Sequence, residues 1–132
     1  MIGIDSNVLL RVVVADDKAQ EKAAAAFFAG RCSKDNPGFV NVVVLCELVW
    51  TLDKAYGYGR AQIAGVIEAL TATAELIVER KDDVLAALAV FRTAHTGFAD
   101  ILIGTINRTH GCETTATFDR KAAKLDGFEL LT

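Results

Sequence analysis

The sequence predicts an α/β fold in which a short parallel sheet of about five strands is flanked by helices in a three-layer α/β/α arrangement. Short apolar segments, predicted as strands, alternate with helical segments along the whole chain. These segments contain few polar positions, as is typical of parallel strands buried on both faces. No internal repeat or Gly/Ser-rich linker interrupts the alternation, and 132 residues suffice for one core. We therefore expect a single domain over residues 1–132.

Apolar patterning, helix caps and turn residues predict the element boundaries. The predicted strands cover residues 2–5, 39–41, 75–79, 113–117 and 128–131. The predicted helices cover residues 18–29, 42–56, 60–73, 82–94, 99–110 and 119–125, and residues 8–14 are expected to form a short apolar turn. Asp17 suits the start of the first helix and Gly30 its end, whereas Asn41 can cap the second helix, which Gly57 stops.

Two of the predicted helices carry their apolar residues on one side. In the helix over 60–73 this stripe consists of Ile63, Val66, Ile67 and Leu70. In the helix over 82–94 it consists of Leu85, Leu88 and Phe91. Such stripes are typical of helices that pack against a sheet.

Composition excludes several classes of protein. Hydrophobic residues make up 52% of the chain and charged residues 23%, with one proline, which predicts an ordered globule. No apolar run approaches about 18 residues, and the N-terminus lacks a secretory pattern, so we expect no membrane association. The three cysteines are widely spaced without a CxxC motif, which indicates a reducing, cytoplasmic location. His95 and His110 lack metal-ligand spacing, which argues against zinc.

Four acidic residues fall where ligands bind in such a fold. Asp5 ends the first strand, Asp119 follows the strand over 113–117, and Asp100 lies in the first turn of its helix. In an open parallel sheet, ligands bind at the carboxyl ends of the strands. Glu47, in the helix after Asn41, could lean toward the same edge. Acids that converge without matching bases repel each other, and a hard divalent cation such as Mg²⁺ or Mn²⁺ relieves that repulsion.

Each acid also has a structural interpretation. Asp5, Asp100 and Asp119 are individually as consistent with helix capping as with metal binding. Glu47 is different, because it is the only charge in a markedly apolar segment, residues 42–52. Burying an unpaired carboxylate there would cost several kcal/mol, so we expect Glu47 to have a partner.

The chain contains no Ser-His or Cys-His arrangement that would indicate nucleophilic acyl chemistry. A carboxylate-bound Mg²⁺ with open positions suits phosphate substrates, and phosphodiester hydrolysis is the simplest reaction. The net charge of −3 argues against nucleic acid, but without the four acids 14 basic residues face 13 acidic ones. Basic residues near the acids therefore keep a phosphate-bearing partner possible: Arg11, Arg108, Arg120, Lys121 and Lys124.

Four segments, IDSNVLLR, VVVLCELVWTL, GFADILIG and TFDRKAAKL, resemble in order and spacing the PIN-domain ribonucleases, and most closely the VapC-like toxins of toxin–antitoxin pairs. The resemblance covers essentially the whole chain. It implies an endoribonuclease that depends on Mg²⁺ or Mn²⁺. The matching acidic quartet is Asp5, Glu47, Asp100 and Asp119, with supporting roles for Ser6, Asn7 and Thr117.

The resemblance also implies partners: RNA, a second copy of the chain in a homodimer, and a small cognate antitoxin that blocks the site from a hydrophobic groove. Whether Asp119 would bind the metal directly or through water stays open. Gly104 stands where the family usually has Ala, which weakens the helix by about 1 kcal/mol.

The main alternative is a catalytically silent PIN-like domain that only binds RNA or protein. A receiver-type phosphoacceptor domain fits less well, because Ser6 rather than a second acid follows Asp5 and no Lys follows the last strand. A dinucleotide-binding fold would require GxGxxG after the first strand, and that motif is missing.

Overall fold

Five short parallel strands form two sheets in the structure, a computed structural model that describes residues Met1–Thr132. The chain divides into a first unit, Met1–Lys81, and a second unit, Asp82–Thr132. Helices connect the parallel strands in each unit, so the predicted α/β fold class is confirmed. The strands are distributed over two sheets, whereas the sequence predicted a single sheet of about five strands.

The first unit contains a three-stranded sheet in the order β1-β2-β3. Residue Ile2 pairs with Gly38, and Gly38 in turn pairs with Leu76. The elements of this unit are β1 (Ile2–Gly3), α1 (Ser6–Val13), α2 (Lys18–Arg31), β2 (Gly38–Val40), α3 (Val42–Lys54), α4 (Arg60–Ala72) and β3 (Leu76–Val78). Its fully buried side chains lie on the central strand and on the helices around it: Leu9, Val40, Leu45, Leu48, Leu52 and Ile67.

The second unit pairs β4 (Thr115–Thr117) with β5 (Phe128–Leu130), in register from Thr115 opposite Phe128. Helices α5 (Lys81–Phe91) and α6 (Phe98–Thr109) precede β4, and a short 3₁₀ helix, Ala122–Lys124, lies between the two strands. The Phe91 and Phe98 rings meet edge to face with centroids 5.7 Å apart, a favourable aromatic geometry.

The prediction of a turn over residues 8–14 was wrong, because residues 8–13 belong to helix α1 and only the C-cap Val14 is extended. The backbone carbonyl of Asp5 accepts hydrogen bonds from the N–H groups of Val8 and Leu9 at 3.1 and 3.3 Å. Leu9 and Leu10 are buried, and α1 packs against α2 and α3. Burial of this apolar face outweighs the weak helix propensity of the valines, as is usual for helices within a protein.

Three smaller predictions also differ from the structure. Helix α2 continues through Gly30 to Arg31, and the extended backbone of Cys32 ends it. Leu85 is exposed, because Val84, Leu88 and Phe91 form the buried face of α5. The helix predicted over 119–125 is reduced to the short 3₁₀ helix.

The predicted cap of α3 is confirmed. The Asn41 side-chain oxygen accepts a hydrogen bond from the Val44 N–H at 2.8 Å. Glu79, which follows β3, supplies a second cap that the sequence did not indicate: its Oε1 accepts from the Val42 N–H at 2.9 Å. Two of the N–H groups that a helix start leaves unpaired are thereby satisfied.

Replacing two helical glycines by alanine is expected to change the stability of the protein in opposite directions. A Cβ at Gly104 would lie 2.5 Å from Phe128 Cε2, whereas a Cβ at Gly65 meets nothing within 4 Å. We expect Gly65→Ala to stabilise the protein by about 0.5–1 kcal/mol through helix propensity. Gly104→Ala should destabilise it by about 1–3 kcal/mol through overpacking. Urea denaturation of both variants measures the difference, and equal stabilisation by the two would show that the Phe128 ring moves aside without cost.

Candidate active site

Asp5 presents its carboxylate at the start of helix α1 without using it as a cap. It occupies the N-cap position, yet its side chain accepts no hydrogen bond from the helix backbone. The Asn7 amide instead donates to Asp5 Oδ2 at 3.2 Å, and both side chains are exposed. Ser6 opens the helix and is half-buried. The carboxylate is therefore oriented by Asn7 and accessible to a ligand.

A groove of about 500 Å³ opens beside Asp5 and Asn7 in the first unit. Residues of β1, α1 and α2 line it, and its walls are mainly apolar, with Ile4, Val8 and Phe27 among them. An apolar groove with a carboxylate at its edge can accommodate a segment that carries both apolar and basic groups.

Glu47 lies on the exposed face of α3. The buried face of this helix is formed by Val44, Leu45, Leu48, Val49 and Leu52. Val43 and Trp50, one turn before and after Glu47, are each 65% exposed. Because the carboxylate is exposed, burial gives no reason to require a charged partner for it.

Asp100 lies in the first turn of α6 in the second unit. The residue before this helix is Gly97, which has no side chain to cap it. Burial raises the pKa of the half-buried Asp100 carboxyl above its usual value, and the negative charge of Asp119 raises it further. The two acids are therefore close enough to repel each other.

Asp119 combines a capping role with an accessible carboxylate. Its Oδ1 accepts hydrogen bonds from the backbone N–H groups of Lys121 at 2.8 Å and Ala122 at 3.1 Å. The Thr117 hydroxyl accepts from the Asp119 N–H at 3.0 Å. Thr117 thus holds the backbone of Asp119, and the side chain of this acid is exposed.

Some of the predicted site residues interact locally. Asp5 contacts Asn7 in the first unit, and in the second unit Asp100 interacts with Asp119, whose backbone Thr117 holds; the Glu47 side chain makes none of these contacts. No three His, Cys, Asp or Glu residues are arranged so that they could hold a metal ion. Assignment of the quartet as metal ligands therefore stays a prediction. Its donor chemistry fits a hard cation, because every member supplies oxygen atoms. The pKa of Asp100 is raised first by burial and then by the negative charge of Asp119, and a bound cation would offset the second of these effects.

A polar cluster beside the groove was not predicted from the sequence. The Arg11 guanidinium forms an ion pair with Asp16, and the Tyr56 hydroxyl donates to Asp16 Oδ2 at 2.5 Å. This hydrogen bond raises the pKa of Tyr56. Arg11 also lines the groove. Tyr56 lies 40 residues from Asp16 in the chain, so no local pattern could have indicated the contact.

The PIN domain family model matches residues 2–128 of the chain, and the chain therefore belongs to the PIN-domain family. PIN domains are generally nucleases and typically use divalent metal ions, so the fold is that of a hydrolase acting on nucleic acid. No curated protein matches the chain. None of its helices combines the length and hydrophobicity needed to cross a membrane.

Proposed function

We propose that the protein is a Mg²⁺- or Mn²⁺-dependent endoribonuclease and the VapC-like toxin of a toxin–antitoxin pair. The observation that carries this proposal is that the carboxylates of Asp5 and Asp100 are unpaired. Both carboxylates lie at the start of a helix in a PIN domain, and neither has a cationic partner. Acids that serve only the fold would be expected to cap or to pair.

The four acids, Asp5, Glu47, Asp100 and Asp119, would hold the metal. When bound, Mg²⁺ or Mn²⁺ would supply an activated water and stabilise the charge on the leaving oxygen. Asn7 orients the Asp5 carboxylate through its hydrogen bond to Oδ2. Thr117 orients Asp119 by accepting from its backbone N–H. Mutation of residues that orient ligand side chains in this way typically lowers metal affinity or activity by about 10–100-fold.

Two protein partners complete the proposal. The apolar groove beside Asp5 suits a segment of a small antitoxin whose basic side chain reaches the carboxylate and blocks the site. The exposed Val43 and Trp50 on α3 support association of two copies into a homodimer. Light scattering at tens of micromolar protein tests the homodimer, and a monomeric mass would contradict it.

Metal removal tests the proposed reaction. We expect purified protein to cleave RNA in Mg²⁺ or Mn²⁺, to lose cleavage in EDTA, and to regain it when either metal is restored. The variant Asp53→Asn, purified in parallel, should retain cleavage, because Asp53 is an exposed carboxylate that pairs with Lys54. RNA bound without any cleavage in either metal would favour the silent RNA-binding alternative, and cleavage that resists EDTA would contradict metal dependence.

A further inference from the structure

Phe118 is the most exposed large hydrophobic residue of the chain, at 78%. It stands between Thr117 and Asp119, in the segment that connects β4 to the 3₁₀ helix. An aromatic ring left in water contributes little to the fold. The backbone on both sides of Phe118 is nevertheless held by hydrogen bonds. The Thr117 carbonyl accepts from the Leu131 N–H at 2.8 Å, and the Thr117 hydroxyl accepts from the Asp119 N–H at 3.0 Å.

Three basic side chains follow Phe118 within six residues: Arg120, Lys121 and Lys124. All three are exposed and none forms an ion pair. In a chain with a net charge of −3, this is a local concentration of unneutralised positive charge. An exposed aromatic ring beside cations is the combination by which proteins bind single-stranded nucleic acid.

We propose that residues 118–124 bind single-stranded RNA next to Asp100 and Asp119, and that Phe118 stacks on an unpaired base. The basic side chains would contact the phosphates on either side of that base. This inference rests on the proposed nuclease function and adds to it a substrate-positioning residue. The cores of protein interfaces are depleted of charged residues, so three exposed cations within six residues of one exposed aromatic ring favour RNA over a protein partner.

Binding measurements test the stacking role. The Asp100→Asn protein serves as parent to prevent cleavage, and the probe is a fluorescein-labelled 20-nucleotide RNA of random sequence. We expect Phe118→Leu to weaken binding about tenfold, whereas Phe118→Tyr retains affinity because it keeps an aromatic face. Leu85→Ala is the matched control and should not change RNA affinity. Leu85 is also an exposed hydrophobic residue of the second unit, but the charged residues shortly before it in α5 include the acids Asp82 and Asp83.

A spectroscopic signature separates stacking from a structural effect. Trp50 is the only tryptophan of the chain, so Trp50→Phe combined with Phe118→Trp places a single indole in the proposed site. Stacked bases should quench its fluorescence when RNA binds. An indole introduced by Leu85→Trp in the same background should not respond.

Salt dependence tests the phosphate contacts. For single strands, the slope of log K against log salt concentration is about −0.7 per neutralised phosphate. Replacing Arg120, Lys121 and Lys124 together by Gln should therefore reduce the slope by about 2. An unchanged slope would show that these side chains do not contact RNA and would overturn that part of the inference.

The outcomes distinguish this inference from the proposed function. If the parent binds RNA and Phe118→Leu binds equally well, the stacking role is overturned and the nuclease proposal stands. If Phe118→Leu changes only the oligomeric mass, the ring contacts protein and the inference is likewise overturned. If the parent binds no RNA and the wild type cleaves none, both proposals fail.

Discussion

Replacing Asp5 by Asn is expected to reduce RNA cleavage by at least about a hundredfold while leaving the fold intact. A metal centre contributes several kcal/mol of transition-state stabilisation, and each 1.36 kcal/mol corresponds to a factor of ten in rate. Asn caps a helix as well as Asp does, and the Asp5 carboxylate makes no capping bond that could be lost. Cleavage rates and thermal denaturation of wild type and variant measure the two effects.

Asp17→Asn is the matched control for this experiment. Asp17 also occupies a helix N-cap position in the first unit, but its carboxylate does cap, accepting from the Gln20 N–H at 3.0 Å. The same substitution there should leave cleavage unchanged. If Asp5→Asn cleaves RNA as fast as the wild type, the measured activity does not come from the proposed site.

Asp100→Asn is expected to abolish cleavage and to weaken Mn²⁺ binding at least about tenfold. Isothermal titration of Mn²⁺ into wild type and variant measures the affinity without requiring the natural RNA. Asp82→Asn is the control, because Asp82 lies in the first turn of α5 just as Asp100 lies in the first turn of α6. Equal Mn²⁺ affinity in wild type and Asp100→Asn would remove Asp100 from the metal site.

The same variant should gain stability over the metal-free wild type as the pH rises. The folded-state pKa of Asp100 is raised by burial and by Asp119, so its protonated form stabilises the fold. That contribution is complete below the usual aspartate pKa of about 4 and is lost as the pH rises through the raised folded-state value.

The Asn side chain is neutral throughout this pH range, so its contribution to the stability of the fold does not change with pH. The difference in unfolding free energy between Asp100→Asn and wild type should therefore increase from about pH 3 to pH 7. Urea denaturation in EDTA at several pH values measures it. A difference independent of pH, or a variant that unfolds, would show that Asp100 has a structural role that does not depend on its charge.

The sequence alone predicted the features that depend on local patterns. Alternating apolar segments and helix signals predicted the α/β class, and Asn41 was identified as a cap because its side chain reaches an N–H only three residues away. Four motifs in order, around Asp5, Glu47, Asp100 and Asp119, indicated the PIN family, which the family model over residues 2–128 confirms. These predictions succeeded because periodicity, capping and motif spacing are properties of neighbouring residues.

Tertiary structure decided what depends on residues distant in the chain. Residues 8–13 belong to helix α1, which packs against α2 and α3 with Leu9 and Leu10 buried, although the local sequence predicted a turn. Glu47 is exposed because α3 packs with its opposite face buried. The sequence of α3 is almost wholly apolar, so it does not indicate which face is buried. The free energy gained by burial depends on contacts between residues that are distant in the chain. Local sequence patterns do not reveal those contacts.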